Sequence, residues 1–188
     1  MKKFKLAAIL GLVLLISGTC LLIGLARSRD VNASILRPPV QTTVTKQQTA
    51  IIQGEPVELI IPSLELDLKV IQGVYDKNSQ TWTLSNDKAQ YATITPQPNN
   101  AEGDTFLYGH ALQNVFGTLH TLKPSSLAIV KTDNNHIFYY ILNSVKTTNQ
   151  LDDSVFNYRG KPILTIQTCS GLLWQDRQFY VFDLERAI

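Results

Sequence analysis

Cysteine is scarce in this chain, and its scarcity removes one class of architecture at the outset. The 188 residues hold two cysteines, Cys20 and Cys169. Cys20 lies inside an uncharged apolar run and Cys169 near the other end of the chain, so no disulfide framework can be drawn from them. An excess of charge of either sign is missing as well. Lys+Arg number 17 and Asp+Glu 15, a formal net charge of +2, and no Lys/Arg cluster lies in the body of the chain. That balance leaves no electrostatic footprint for nucleic acid or another highly charged polymer. Internal repeats and strong low-complexity tracts are lacking. So is a loop dense in carboxylates of the kind that holds calcium. Glu102, Asp104, Asp152 and Asp153 are available, and they read as solvated loop charges. No metal and no cofactor is expected.

The first feature that is present is apolar. Lys2, Lys3 and Lys5 precede an uncharged run from Leu6 to Ala26, rich in Leu, Ile, Val, Ala and Gly. Its length matches the roughly 20 residues needed to cross a bilayer as a helix. A secretory signal has a shorter apolar region, about 7–15 residues, followed by a small-residue cleavage site. Here the run ends in Ala26-Arg27-Ser28-Arg29, and the reading is an uncleaved transmembrane anchor over residues 1–26. Lipid attachment at Cys20 is a weaker alternative, because Ser17-Gly18-Thr19 makes a poor lipidation box and apolar residues continue past it. Three lysines before the run against two arginines after it place the N-terminus in the cytoplasm and the rest outside. In that topology Cys20 and Cys169 cannot meet, and Cys169 is an unpaired thiol in an oxidising compartment, either reactive or buried as a small core residue.

Residues 27–55 are rich in Thr, Gln and Ser around Pro38-Pro39 and read as a stalk. Residues 56–188 read as the folded domain. Short segments rich in β-branched and aromatic residues predict strands at Val57–Ile61, Leu68–Val74, Thr105–Tyr108, Leu127–Thr132, His136–Val145, Pro162–Thr168 and Gln178–Leu184. Turn residues separate them, as at Asp76-Lys77-Asn78-Ser79 and Asp133-Asn134-Asn135. Only two short helical pieces are expected, at Asp87–Ala92 and Val115–Leu122. The fold class is all-β, a barrel or sandwich.

Alternation along Ile163–Cys169 puts Leu164, Ile166 and Thr168 on one face, expected to be core. Ile163, Thr165, Gln167 and Cys169 take the other, mostly polar face. Cys169 then stands at a strand end before Ser170-Gly171. A thiol needs a neighbouring cation or base to react as thiolate, since free cysteine has a pKa of about 8.5. His110, closing the run Thr105–His110 after Gly109, is one candidate. Arg177, eight residues beyond Cys169 at the start of the last strand, is another, brought near by a hairpin. His120 and His136 lack a comparable local motif, and His136 most simply belongs to a turn.

These segments together resemble the sortase family of bacterial cysteine transpeptidases. The match runs in order through Ile61-Pro62-Ser63-Leu64, Trp82, Asn99–Gly103, Tyr108-Gly109-His110, Phe116-Gly117-Thr118-Leu119, Thr165-Ile166-Gln167-Thr168-Cys169 and Arg177. The family signature at the cysteine is Thr-Leu-x-Thr-Cys, and Ile166 departs from it by one branched aliphatic. The resemblance implies a closed eight-stranded β-barrel and cleavage of a Leu-Pro-x-Thr-Gly-like sorting signal between Thr and Gly. It implies Cys169 as nucleophile, His110 as proton partner and Arg177 as cationic stabiliser. The partners implied are proteins bearing the sorting signal and an amine acceptor, either a wall precursor or a pilin lysine. Thr168 is a candidate contact near the developing oxyanion. Leu172, Leu173 and Trp174, in the loop between Cys169 and Arg177, are candidates either for substrate binding or for a hydrophobic cap.

Two rivals are weighed beside it. Peptidoglycan L,D-transpeptidases also use Cys and His outside the membrane, but with Gly directly before the cysteine, where this chain has Thr168. A membrane-tethered β-domain that binds a peptide or a wall component would not need the thiol at all.

Overall fold

Alternation decides which way each strand faces, and in most of this chain it is clear. The computed structural model describes residues 50–188 apart from 77, 79, 80 and 150. The apolar run at 6–26, with its expected membrane helix, lies outside the described residues, as does most of the stalk. Residues from Gln47 onward form one compact unit. Its strands are β1 (Pro56–Ile61), β2 (Leu66–Gly73), β3 (Tyr75–Asp76), β4 (Thr81–Trp82), β5 (Ala89–Ala92), β6 (Asp104–Tyr108), β7 (Leu127–Thr132), β8 (Ile137–Asn149), β9 (Ile163–Ser170) and β10 (Asp176–Ala187). Single turns of 3-10 helix occur at Pro62–Leu64, Leu119–Thr121 and Ser154–Asn157.

Eight strands close into a barrel in the order β1-β2-β5-β6-β9-β10-β8-β7, while β3 and β4 form a separate hairpin. Pairing is antiparallel except for β2 with β5 and β6 with β9. Alternate residues of the strands fill the interior: Leu59 and Ile61, Leu66 and Leu68, Val130, Phe138 and Tyr140, Leu164 and Ile166, Tyr180 and Phe182. Burying side chains of this size contributes about 1.5–3 kcal/mol each. A second, smaller apolar cluster lies elsewhere, built from Ala92, Phe106, Tyr108, Val155 and Phe179, with Trp82 and Phe156 packed against it. Because β6 and β9 are covered on both faces, the polar face expected for Ile163 and Thr165 is buried, and the face opens only from Gln167 onward.

Two local expectations are corrected. Asp87–Ala92 is not helical: Ala89–Ala92 is a fully buried strand, paired with β2 on one side and β6 on the other. Its Ala-Gln-Tyr-Ala composition favours helix, but two flanking ladders override so weak a preference. Of Val115–Leu122 only Leu119–Thr121 is helical. Val115, Phe116 and Leu119 bury their side chains in the barrel core through a run of turns. Residues 50–55, in the segment read as stalk, are tied to the domain. Ile52 N–H donates to Asn100 Oδ1 at 3.0 Å, and Asn134 Nδ2 donates to the Gln53 carbonyl at 2.8 Å.

One acid is sealed into this architecture. Asp104 is 2% exposed and accepts a hydrogen bond from Thr165 Oγ1 at 2.7 Å. Burial pushes its pKa from 3.8 up to about 7, against the opposing pull of the Thr165 bonds. The folded chain therefore holds a proton that the unfolded chain has released between about pH 4 and pH 7. The site's stabilisation is complete below the lower value and is lost as pH rises through the upper one. The lost part is at most about 4 kcal/mol. Asp104→Asn should therefore raise the urea midpoint over wild type at pH 8 and leave it nearly unchanged at pH 4. Equal differences at both pH values would show that Asp104 does not titrate in this way.

Candidate active site

The site is set by register on both edges of β9. On one edge β10 runs antiparallel and pairs Arg177 with Cys169. On the other edge β6 runs parallel and pairs Tyr108 with Gln167. Beyond that pair the Gly109 N–H donates to the Gln167 carbonyl at 3.1 Å, and Thr168 Oγ1 donates to the Gly109 carbonyl at 3.1 Å. These two bonds carry the β6 backbone one step further along β9, so that His110 leaves the strand beside Cys169. The Phe116 N–H holds the His110 carbonyl at 3.1 Å. Gly109 permits a close approach: a Cβ there would lie 3.0 Å from both Phe116 and Val115 side-chain atoms.

Alternation then puts Phe106, Tyr108, Gln167, Cys169, Arg177 and Phe179 on one face of β6, β9 and β10. A groove of about 470 Å³ runs over it, with Cys169 and Arg177 together in its lining. The thiol is free and partly exposed. One wall is the β3–β4 hairpin, whose Trp82 stands edge-on to Tyr108 at 5.4 Å between ring centroids and stacks on Phe156 at 6.2 Å. Buried Gln90 pins the connection behind this wall: its Nε2 donates to Thr83 Oγ1 and its Oε1 accepts from the Ser85 N–H, both at 3.0 Å.

The opposite wall comes from the β8–β9 connection. Asp152 there accepts from Lys146 Nζ at 2.7 Å, Thr148 Oγ1 at 2.7 Å and the Ser154 N–H at 2.9 Å. The Lys146 bond, followed by those from Ser154 and Thr148, holds the Asp152 carboxyl well below the usual range. Asp152 is thus a committed anion on the rim. Among the described residues no group of three His, Cys, Asp or Glu side chains is placed to hold a metal ion.

The other residues singled out in the sequence fall in different places. Thr168 faces the barrel side and is buried, and its hydroxyl is occupied by the Gly109 carbonyl. Its side chain positions the neighbouring strand and is not directed at the groove, which corrects the expected oxyanion contact for the hydroxyl. Leu172, Leu173 and Trp174 are 94%, 82% and 59% exposed and do not line the groove, so a packed hydrophobic cap is not what they form. His120 bonds the Gly117 carbonyl through Nδ1 at 2.7 Å, and His136 sits at the β7–β8 turn. The groove walls, Leu84, Leu151, Phe156 and the hairpin carrying Trp82, went unassigned from sequence. They come from connections whose positions depend on tertiary packing, and no periodic pattern marks them.

The buried Thr168–Gly109 bond generates a direct expectation. Thr168→Val keeps the shape and leaves the Gly109 carbonyl unpaired, a loss of about 1–3 kcal/mol. Urea unfolding should show that loss for Val and little change for Thr168→Ser. Equal stability of the Val variant and wild type would remove this bond from the account of how His110 is placed.

A family model described as "Sortase domain" matches residues 59–182. No curated protein sequence matches. Among solved structures the fold is similar to that of Streptomyces coelicolor sortase E1, crystallised with a tripeptide in its active site, with a TM-score of 0.56 at 18% identity. That alignment covers 72% of this chain and 93% of the other. It is also similar to Listeria monocytogenes sortase A, with a TM-score of 0.56 at 21% identity over 70% of this chain and 88% of the other. Sortase C from Clostridium perfringens SM101 gives 0.54 at 15% identity, covering 72% of each chain.

Proposed function

The chain belongs to the sortase family, and from that premise we propose that it is a membrane-anchored cysteine transpeptidase acting outside the cell membrane on a Leu-Pro-x-Thr-Gly-like sorting signal. The observation that carries this reading is the meeting of Cys169 and Arg177 in one open groove, with His110 delivered beside the thiol by the β6–β9 ladder.

The roles follow from chemistry. Cys169, as thiolate, attacks the carbonyl carbon of the Thr–Gly bond. A carbon–sulfur bond forms, the carbon–nitrogen bond breaks, and the departing amine takes a proton from His110. An acceptor amine then attacks the thioester, gives its proton back to His110 and displaces the thiolate. One amide is exchanged for another, so no ATP is required. Arg177 keeps its charge and is a poor base. Its N–H groups serve the substrate carbonyls and the oxyanion that develops at each step. The apolar aromatic walls suit an extended peptide of low charge. The acceptor is an amine of a wall precursor or a pilin lysine, and the apolar run at 6–26 holds the enzyme at the membrane with its N-terminus in the cytoplasm.

The test uses the full-length chain in detergent, a library of quenched sorting-signal peptides and an added amine, with products followed by mass spectrometry. Cleavage after Thr with incorporation of the amine is expected. Cys169→Ala should abolish it, and Arg177→Ala should reduce it by about 10²–10³-fold. A folded wild-type protein that forms no thioacyl adduct with any peptide would instead favour a membrane-tethered domain that binds a peptide or wall component.

A further inference from the structure

Only residues 171–175 connect β9 to β10, whose ends are paired through Ser170 and Asp176. The Trp174 N–H closes a turn onto the Gly171 carbonyl at 3.2 Å, and the Leu173 N–H donates to Gln175 Oε1 at 2.9 Å. Gly171 has φ +84°, and a Cβ on it would lie 2.7 Å from Gln175 Nε2. The unusual residue is Trp174, at φ +59°. That left-handed position normally goes to Gly or Asn, and a bulky residue there is a genuine outlier. The indole does not account for it, since it is largely exposed and does not line the groove.

The main chain does account for it. The Trp174 carbonyl accepts from Arg177 Nη1 at 3.0 Å, and the Asp176 carbonyl accepts from the same nitrogen at 3.0 Å. Nη1 carries two hydrogens, so both are used. A guanidinium has five N–H donors in a rigid plane, and the three on Nε and Nη2 form no hydrogen bond among the described residues. One edge of the fork is therefore clamped by the loop, and the remaining donors are left to the groove that Arg177 shares with Cys169. An extended backbone at residue 174 would turn its carbonyl away and release the clamp.

We propose that Trp174 is a positioning residue that acts through its left-handed backbone, holding Arg177 with its carbonyl so that the guanidinium is oriented before substrate arrives. This rests on the role given above to Arg177. It assigns the site's accuracy to a conformation and not to a side chain, a distinction that substitution can test. Residues that accept positive φ should substitute for tryptophan, and β-branched residues should not.

The experiment compares Trp174→Gly, Trp174→Asn, Trp174→Val and Trp174→Thr in the full-length chain in detergent, each alone and in an Arg177→Ala background. The Gly and Asn variants should keep kcat within about threefold of wild type. The Val and Thr variants should lose about tenfold or more in kcat with little change in KM. In the Arg177→Ala background none should lose anything further, because the effect passes through the missing guanidinium. Loss in Gly and Asn equal to that in Val would assign the effect to the indole and overturn the proposal, as would a loss that persists without Arg177. A second readout needs no activity: the 15N heteronuclear NOE of the Arg177 Nε–H should show an ordered group in wild type, Gly and Asn, and a mobile one in Val and Thr. Uniform order across all variants would also overturn it. A wild type that transfers no peptide while the NOE pattern holds would count against the functional reading and leave this one standing.

Discussion

β9 is hydrogen-bonded along both edges, in parallel to β6 and antiparallel to β10, and this double pairing is the constraint from which the site follows. Side chains in a strand alternate with a period of two, so a slip of one residue on either edge would exchange the inner and outer faces. The inner face is locked by Leu164 and Ile166, which are fully buried. Cys169 must then face outward, and its partners are determined by the same ladders. Arg177 arrives from β10 as its direct cross-strand neighbour. His110 arrives from β6, one step past the last formal pair, carried there by the hydrogen bonds of Gly109. Residues distant in sequence meet at the thiol because two registers agree.

A groove needs walls as well as a floor, and the walls here are weaker elements. The β3–β4 hairpin has two residues in each strand, too few to be stable alone. It is held by aromatic contacts of Trp82 with Tyr75, Tyr108 and Phe156, each such pair contributing about 0.5–1.5 kcal/mol beyond burial. Behind it Gln90 is buried with both ends of its amide bonded to the connection that follows β4. The wall therefore rests on a side chain of β5 and on a ring of β6, and both strands belong to the barrel. Substrate contacts made by Trp82 are coupled to the strand that delivers His110.

Much of this was legible in sequence where a pattern repeats. The alternation of Leu59 and Ile61, or of Phe138 and Tyr140, marks strands with one buried face, and those strands lie where expected. β5 was not legible, because four buried residues flanked by strands on both sides show no period and contain helix-favouring types. The outer face of β9 was read as open along its whole length, yet Ile163 and Thr165 are sealed on that face. Distant residues decide that, and no local rule exposes them. Cys169, His110 and Arg177 stood out because each ends or begins a strand beside a glycine or a turn. Thr168 stood out for the same reason and does a different job. The signal marks the strand end, and the direction of each side chain there depends on the pairing.

That strand end explains why chemistry and fold coexist at this place. β6 stops at Tyr108, β9 at Ser170, and β10 begins at Asp176, so the ladders run out together. Backbone groups at the end of a ladder need new partners, since a buried one left unpaired is costly. The partners come from the site itself: Thr168 for the Gly109 carbonyl, and Arg177 for the carbonyls of Trp174 and Asp176. Each bond satisfies the end of the sheet and at the same time fixes a group next to the thiol. Further down the strands such groups would be absorbed by the ladder and unable to leave sheet geometry. Further out in the loops they would have nothing rigid to hold them. Only where the pairing ends can Thr168 face inward to secure the barrel while Cys169, the next residue, stands in an open groove.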